Sequence, residues 1–171
     1  MIKHIASILS RGILEIDRHN RSINITSKTN HNNITRIPYS DITPYDWGYI
    51  YEKFVGQKYE LEGYHVEHLG LTKGFLDGGM DILISKDDFH AYIQCKFSNK
   101  SNVCFGKQNI EWILYKASSY LFKQYKGIKL NFWLVVPTLD LITQKLQSYI
   151  LSKNNMQYMV KIELKEIPMP I

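Results

Sequence analysis

The chain has 171 residues, 44% hydrophobic and 22% charged, an ordinary globular composition with enough length for one domain and a buried core. Lys and Arg number 21 against 16 Asp and Glu, a net charge of +5 that suits a polyanionic partner without requiring one. No run of about 18 apolar residues exists, which excludes a helical membrane span.

The opening stretch, MIKHIASILSRGILEIDR, lacks the sustained apolar core and small-residue cleavage site of a signal peptide. Cys95 and Cys104 stand outside any CxxC or zinc-finger spacing, so a reduced, cytoplasmic protein is expected. The 12 tyrosines can stack on bases, but most are expected to be amphipathic packing residues.

Residues 1–40 read as an N-terminal extension. GILEIDRHNRSINITS alternates apolar and polar residues on both sides of RHNR, which predicts a β-hairpin. KTNHNNITRIPYSD is polar and Asn-rich and predicts an exposed loop. There are no internal repeats. Residues 41–171 read as the main domain. Thr43 and Pro44 form a helix-start signal, and Trp47, Ile50, Tyr51, Phe54 and Val55 fall on one face of the helix that follows. Gly63 stops it.

YHVEHLG then predicts a short strand. His65 and His68, three apart on it, point to opposite faces and read as surface or partner contacts rather than a metal pair. LTKGFLDGG predicts a glycine-bearing loop, and MDILIS with HAYIQCKF a second hairpin. A long helix is expected over 107–125, an apolar strand at KLNFWLVVPT, a helix at LDLITQKLQSYILSK and a last strand at QYMVKIELKEI. A strand flanked by helices late in the chain implies a parallel crossover. The expected fold is therefore α/β, a mixed sheet of about four to five strands flanked by helices, with the N-terminal hairpin as an extension.

The second hairpin carries the chemistry. A turn centred on Asp88 and Phe89 would set Asp81 opposite Lys96, with Gln94 on the same sheet face, and a slip in register would keep the cluster together. A carboxylate suits Mg²⁺, the Gln94 carbonyl and a main-chain carbonyl could add ligands, and a lysine beside the ion could steady a developing phosphate charge. An Asp–Lys cross-strand pair with a polar neighbour explains the same residues without catalysis. The residues alone leave both readings open.

GGMD followed by IQCK resembles the PD-(D/E)XK nuclease superfamily and, within it, the Mrr-like restriction endonucleases that carry Q-x-K. The resemblance spans roughly residues 47–137. It implies a restriction-endonuclease-like core with Asp81 as the metal-binding aspartate, Gln94 in the place of a metal-binding glutamate, and Lys96 as the catalytic lysine. In this pattern a helix glutamate preceded by an aromatic restores the second carboxylate. YIYEKF provides Tyr51 and Glu52, although Glu52 alone reads as a solvated helix residue. Cys95 would offer only its backbone carbonyl to the metal. Asp77 resembles the acidic residue before the glycine turn, or is a turn-capping aspartate. Lys107 and Gln108, at the start of the long helix, could meet a DNA phosphate.

The resemblance implies a Mg²⁺-dependent DNA endonuclease, with Mn²⁺ able to substitute, that leaves a 5′-phosphate. The setting it implies is defence against foreign or modified DNA, or a mobile element. Departures are the lack of a threonine-asparagine-glycine turn after WLVVPT and of a separate DNA-reading domain. A junction-resolving nuclease and a non-catalytic nucleic-acid-binding module on this fold are the alternatives. A homodimer would supply the two sites that duplex cleavage needs.

Overall fold

The computed structural model describes residues 5–73, 80–100, 104–106, 130–152 and 160–171. The helix expected over 107–125 lies outside the described residues.

The N-terminal region holds more regular structure than its composition suggested. A short helix α1 (Ile5–Arg11) leads into strands β1 (Gly12–Asp17), β2 (Ser22–Ser27) and β3 (Asn33–Pro38). The expected hairpin is β1–β2, and β3 joins it to make an antiparallel sheet of three. The stretch read as an exposed loop therefore contains an edge strand. Only Ile37 of β3 is buried, so its side chains carry almost no alternation.

Helix α2 (Pro44–Leu61) begins as its sequence dictates. The Thr43 hydroxyl accepts from the Asp46 N–H, and the Asp46 carboxylate accepts from the Thr43 N–H, a capping box with Pro44 at the first turn. Gly63 takes a left-handed φ of 86° just past the end, where a side chain would be strained. Trp47, Ile50, Tyr51, Val55 and Tyr59 are buried along the helix.

Beyond α2 come β4 (His65–His68), a five-residue helix α3 (Leu69–Lys73), β5 (Ile82–Lys86), β6 (Phe89–Cys95), β7 (Leu130–Val136), α4 (Gln144–Ser152) and β8 (Val160–Glu166). Helix α3 occupies part of the stretch expected to be loop. The second sheet has the order β4-β5-β6-β7-β8, antiparallel from β4 to β6 and parallel from β6 to β8. This is the mixed sheet expected of a restriction-endonuclease-like α/β core. Among the described residues no helix is long and apolar enough to cross a membrane.

Two apolar layers fix the sheet. Ile82, Ile84, Ala91, Ile93 and Cys95 share one core with α2 and with Leu14, Ile23 and Ile25 of the N-terminal sheet. Met80, Tyr92, Phe132 and Leu134 pack on the other side with Leu146 and Ile150 of α4. Each fully buried aliphatic side chain contributes about 1.5–3 kcal/mol. The β5–β6 hairpin is thus clamped on both faces, and the polar residues at its open end stand on a rigid base.

Candidate active site

The hairpin register differs from the expected one by two positions. Ile82 pairs with Ile93 and Lys86 with Phe89, so the turn is Asp87-Asp88 and not Asp88-Phe89. Asp87 adopts a left-handed φ of 52°, which aspartate tolerates better than most residues, and this closes the hairpin one residue early, shifting each cross-strand partner by two. Asp81 therefore stands across from Gln94, not Lys96. A two-residue shift conserves the side-chain alternation, so Asp81, Gln94 and Lys96 keep one sheet face.

The shift gives Asp81 a specific job. Strand β5 begins at Ile82, so the edge of β6 beside Cys95 has lost its strand partner. The Asp81 side chain fills that gap. Its Oδ2 accepts from the Cys95 N–H at 2.6 Å and from Gln94 Nε2 at 2.7 Å. The Asp81 main chain is held too, its N–H donating to the Ile93 carbonyl and its carbonyl accepting from the Gly70 N–H, both at 2.9 Å. Gln94 Nε2 also reaches the Cys95 carbonyl at 3.4 Å, while Gln94 Oε1 is buried with no hydrogen-bond partner. Both Asp81 and Gln94 are 6% exposed.

Glu52 is not a solvated helix residue. It is 8% exposed, and its carboxylate lies over Gly70, where an added Cβ would come within 2.5 Å of Oε2. Gly70 is thus the joint between the two acids: its missing side chain makes room for Glu52, and its N–H holds Asp81. Tyr51, the aromatic beside Glu52, points into the core and donates its hydroxyl to the Ile167 carbonyl at 2.9 Å. Burial pushes the Cys95 thiol well up, and the charges of Asp81 and Glu52 raise it further while Lys96 opposes them. That thiol stays protonated and inert in the core, leaving the Cys95 backbone as the part that faces the polar groups.

Lys96 is half-buried. Its N–H continues the ladder to the Val135 carbonyl at 2.9 Å, and its ammonium lies 5.9 Å from the Phe105 ring centre. The structure thus gathers Asp81, Glu52, Gln94, Lys96 and the Cys95 carbonyl at one end of the sheet. Among the described residues no group of three or more His, Cys, Asp or Glu could hold a metal; the carboxylates here number two. Asp77, Lys107 and Gln108 lie outside the described residues.

Sequence reasoning missed two further buried polar groups beside α2. Lys53 is 1% exposed, and its ammonium has no hydrogen-bond partner. His68, expected at the surface, has a side chain only 8% exposed, set against Gly56, and neither ring nitrogen has a hydrogen-bond partner. The glycine at 56 was the available signal, since it leaves a space the size of a ring beside α2.

Residues 48–117 match a family model, Mrr_cat, described as restriction endonuclease. Every candidate residue named above for the reaction falls inside that span. No curated protein and no solved structure matches the chain significantly.

Proposed function

Residues 48–117 are a restriction-endonuclease domain of the Mrr-like, PD-(D/E)XK kind, and from that premise we propose that the chain is a Mg²⁺-dependent DNA endonuclease centred on Asp81, Glu52, Gln94 and Lys96. The observation that carries this reading is the joint at Gly70, which couples a buried helix carboxylate to a buried hairpin carboxylate at the open edge of β6.

The donors fit the ion. Asp81, Glu52, the Cys95 carbonyl and Gln94 Oε1 are all oxygens, and Mg²⁺ takes one or two carboxylates and keeps several waters. Gln94 Oε1 is a buried acceptor left unsatisfied, a state that a cation relieves. Gln94 Nε2 now bridges Asp81 and the Cys95 carbonyl, so turning the amide over would line that spot with three oxygens. When bound, Mg²⁺ would draw charge from the scissile phosphate and acidify a water.

The chain's own residues set the rest. The Cys95 N–H fixes the Asp81 carboxylate, so one face stays aimed at the site. Lys96 orients the attacking water and donates to the phosphate oxygen on which charge builds. The water oxygen bonds to phosphorus, the bond to the 3′ oxygen breaks, and the products are a 5′-phosphate and a 3′-hydroxyl. The water's proton passes to solvent, and the departing 3′ oxygen takes up a proton from solvent to become the hydroxyl. The domain acts on DNA in the cytoplasm, as a homodimer for duplex cuts, in defence against foreign DNA or within a mobile element.

Supercoiled plasmid incubated with Mg²⁺ tests the reading. The wild type should give nicked and linear DNA, with Mn²⁺ substituting. Asp81→Ala and Lys96→Ala should each lose about 10³-fold or more in rate, the several kcal/mol such groups supply. Equal cleavage by all three proteins would sink the assignment, and strong preference for four-way junctions would redirect it to a resolving nuclease.

A further inference from the structure

We propose that the N-terminal sheet is the DNA-gripping element of this nuclease. The cleft between its β1–β2 turn and the chain leaving Lys96 receives the phosphodiester backbone of duplex DNA beside the cut. The inference rests on the nuclease reading of the neighbouring site and supplies a DNA contact outside the matched span.

Charge distribution is the first argument. Residues 1–40 carry six Lys or Arg and two Asp or Glu, a net +4 of the chain's +5; the rest is nearly balanced. Most of the net positive charge therefore lies outside the matched nuclease span.

Position is the second. A cleft of about 640 Å³ is lined by Asn20 and Arg21 of the β1–β2 turn, Tyr39 and Ser40 after β3, Trp47 of α2 and Asn99. Asn99 comes three residues after Lys96, and Trp47 five before Glu52. Phe97 pins the intervening chain, its ring 5.9 Å from Trp47 and 5.4 Å from Tyr51. One wall thus belongs to the N-terminal sheet, and the opposite wall continues directly from the proposed catalytic lysine.

Chemistry is the third. The Arg21 guanidinium sits 5.7 Å over the Tyr39 ring, a placement that orders the planar fork and leaves its N–H edges for a phosphate. The Tyr39 hydroxyl is buried and burial raises its pKa, so Tyr39 serves here through its ring, as the platform under Arg21. Asn20 and Asn99 add neutral amides. Asp17, the acid in the same turn, is occupied: its two oxygens accept from the Asn20 N–H and Nδ2 at 2.9 and 2.8 Å. Cationic fork and amides make a set for phosphate oxygens.

The test measures binding of a fluorescein-labelled DNA duplex by anisotropy in the full chain carrying Lys96→Ala, so the probe survives. Added Arg21→Glu should weaken binding about tenfold or more and flatten the salt slope by about one. Arg21→Lys should recover much of the loss. Asn99→Asp approaches from the opposite wall in an exposed segment, so it reports on the cleft even if the turn variant melts early. Parent-like binding by both charge variants overturns the proposal, and plasmid cleavage by the wild type would then leave the nuclease reading intact. Loss of binding alongside an uncleaved plasmid would keep the cleft and remove the nuclease. Tighter binding of an RNA duplex or an acidic peptide than of DNA would overturn the choice of partner.

Discussion

Glu52 and Lys53 are neighbours on one turn of α2, oppositely charged and almost equally buried, yet they occupy different chemical settings. Glu52 faces the hairpin, lies over Gly70 and joins the oxygens around Asp81. One position further along the helix, Lys53 shares its surroundings with His68, whose ring sits against Gly56 one turn beyond Glu52. Burial drives Lys53 down to about 8, helped by Lys28. Burial likewise drives His68 down to about 4, with Lys53 and Lys28 adding to it. Glu60 approaches His68 to 3.8 Å, but a ring that is neutral above pH 4 forms no ion pair there. Burial of a charge therefore does not identify a site by itself. The role proposed for Glu52 rests on its neighbours, Gly70 and through it the Asp81 backbone, whereas Lys53 is dominated by the cost of its own desolvation.

Four substitutions sharpen that contrast. Glu52→Gln should lower plasmid cleavage by about 10²–10³-fold, as expected for loss of a charged group at a reacting centre, while Lys53→Met should stay within about threefold. Equal losses would erase the distinction between the two neighbours. His68 gives the next effect. Its folded form is the neutral ring, so the stability it contributes is present above pH 6.5 and is lost as pH falls toward 4. Unfolding free energies from denaturant titrations should fall over that window by up to about 3 kcal/mol more in the wild type than in His68→Gln, which cannot titrate. Parallel pH profiles would mean that the ring finds a partner when charged.

Gly70→Ala should then lower cleavage by about 10–100-fold with the thermal midpoint little changed, because the new Cβ displaces the Glu52 carboxylate rather than the core. Undiminished cleavage in this variant would show that Glu52 acts from elsewhere or not at all. Smallest is the effect of Lys53→Met on folding, a gain of about 1–2 kcal/mol near pH 7 from removing an unpaired buried ammonium. That gain is full below pH 8 and should shrink as pH rises toward 10.5, where the unfolded chain also loses its proton. A destabilised Lys53→Met would point to a partner for the ammonium.

Features with a local cause were legible in the amino-acid order. Thr43 and Pro44 start α2, Gly63 ends it, and the apolar face between them is the buried one. The alternation of the β5–β6 hairpin placed Asp81, Gln94 and Lys96 on one face, and an error of two in the register could not disturb that. The pairing itself was not legible, because it depends on Asp87 adopting a left-handed conformation. Strand β3 hid because an edge strand with one buried residue has no period to read. Short α1 buries only Ile5 and Leu9, too little pattern to announce a helix. Glu52 was reached through resemblance to a family and not through its own surroundings. The joint at Gly70 and the burial of Lys53 and His68 are tertiary facts, since each depends on segments distant in sequence meeting α2.

The central claim is that Asp81 and Glu52 hold one divalent cation between them. Titration calorimetry of Mg²⁺ or Mn²⁺ into the wild type, Asp81→Asn and Glu52→Gln tests it without reference to turnover. One ion should bind per chain in the wild type, and each substitution should weaken binding about tenfold or more. Unchanged binding in Glu52→Gln, or no ion bound by the wild type, would contradict it.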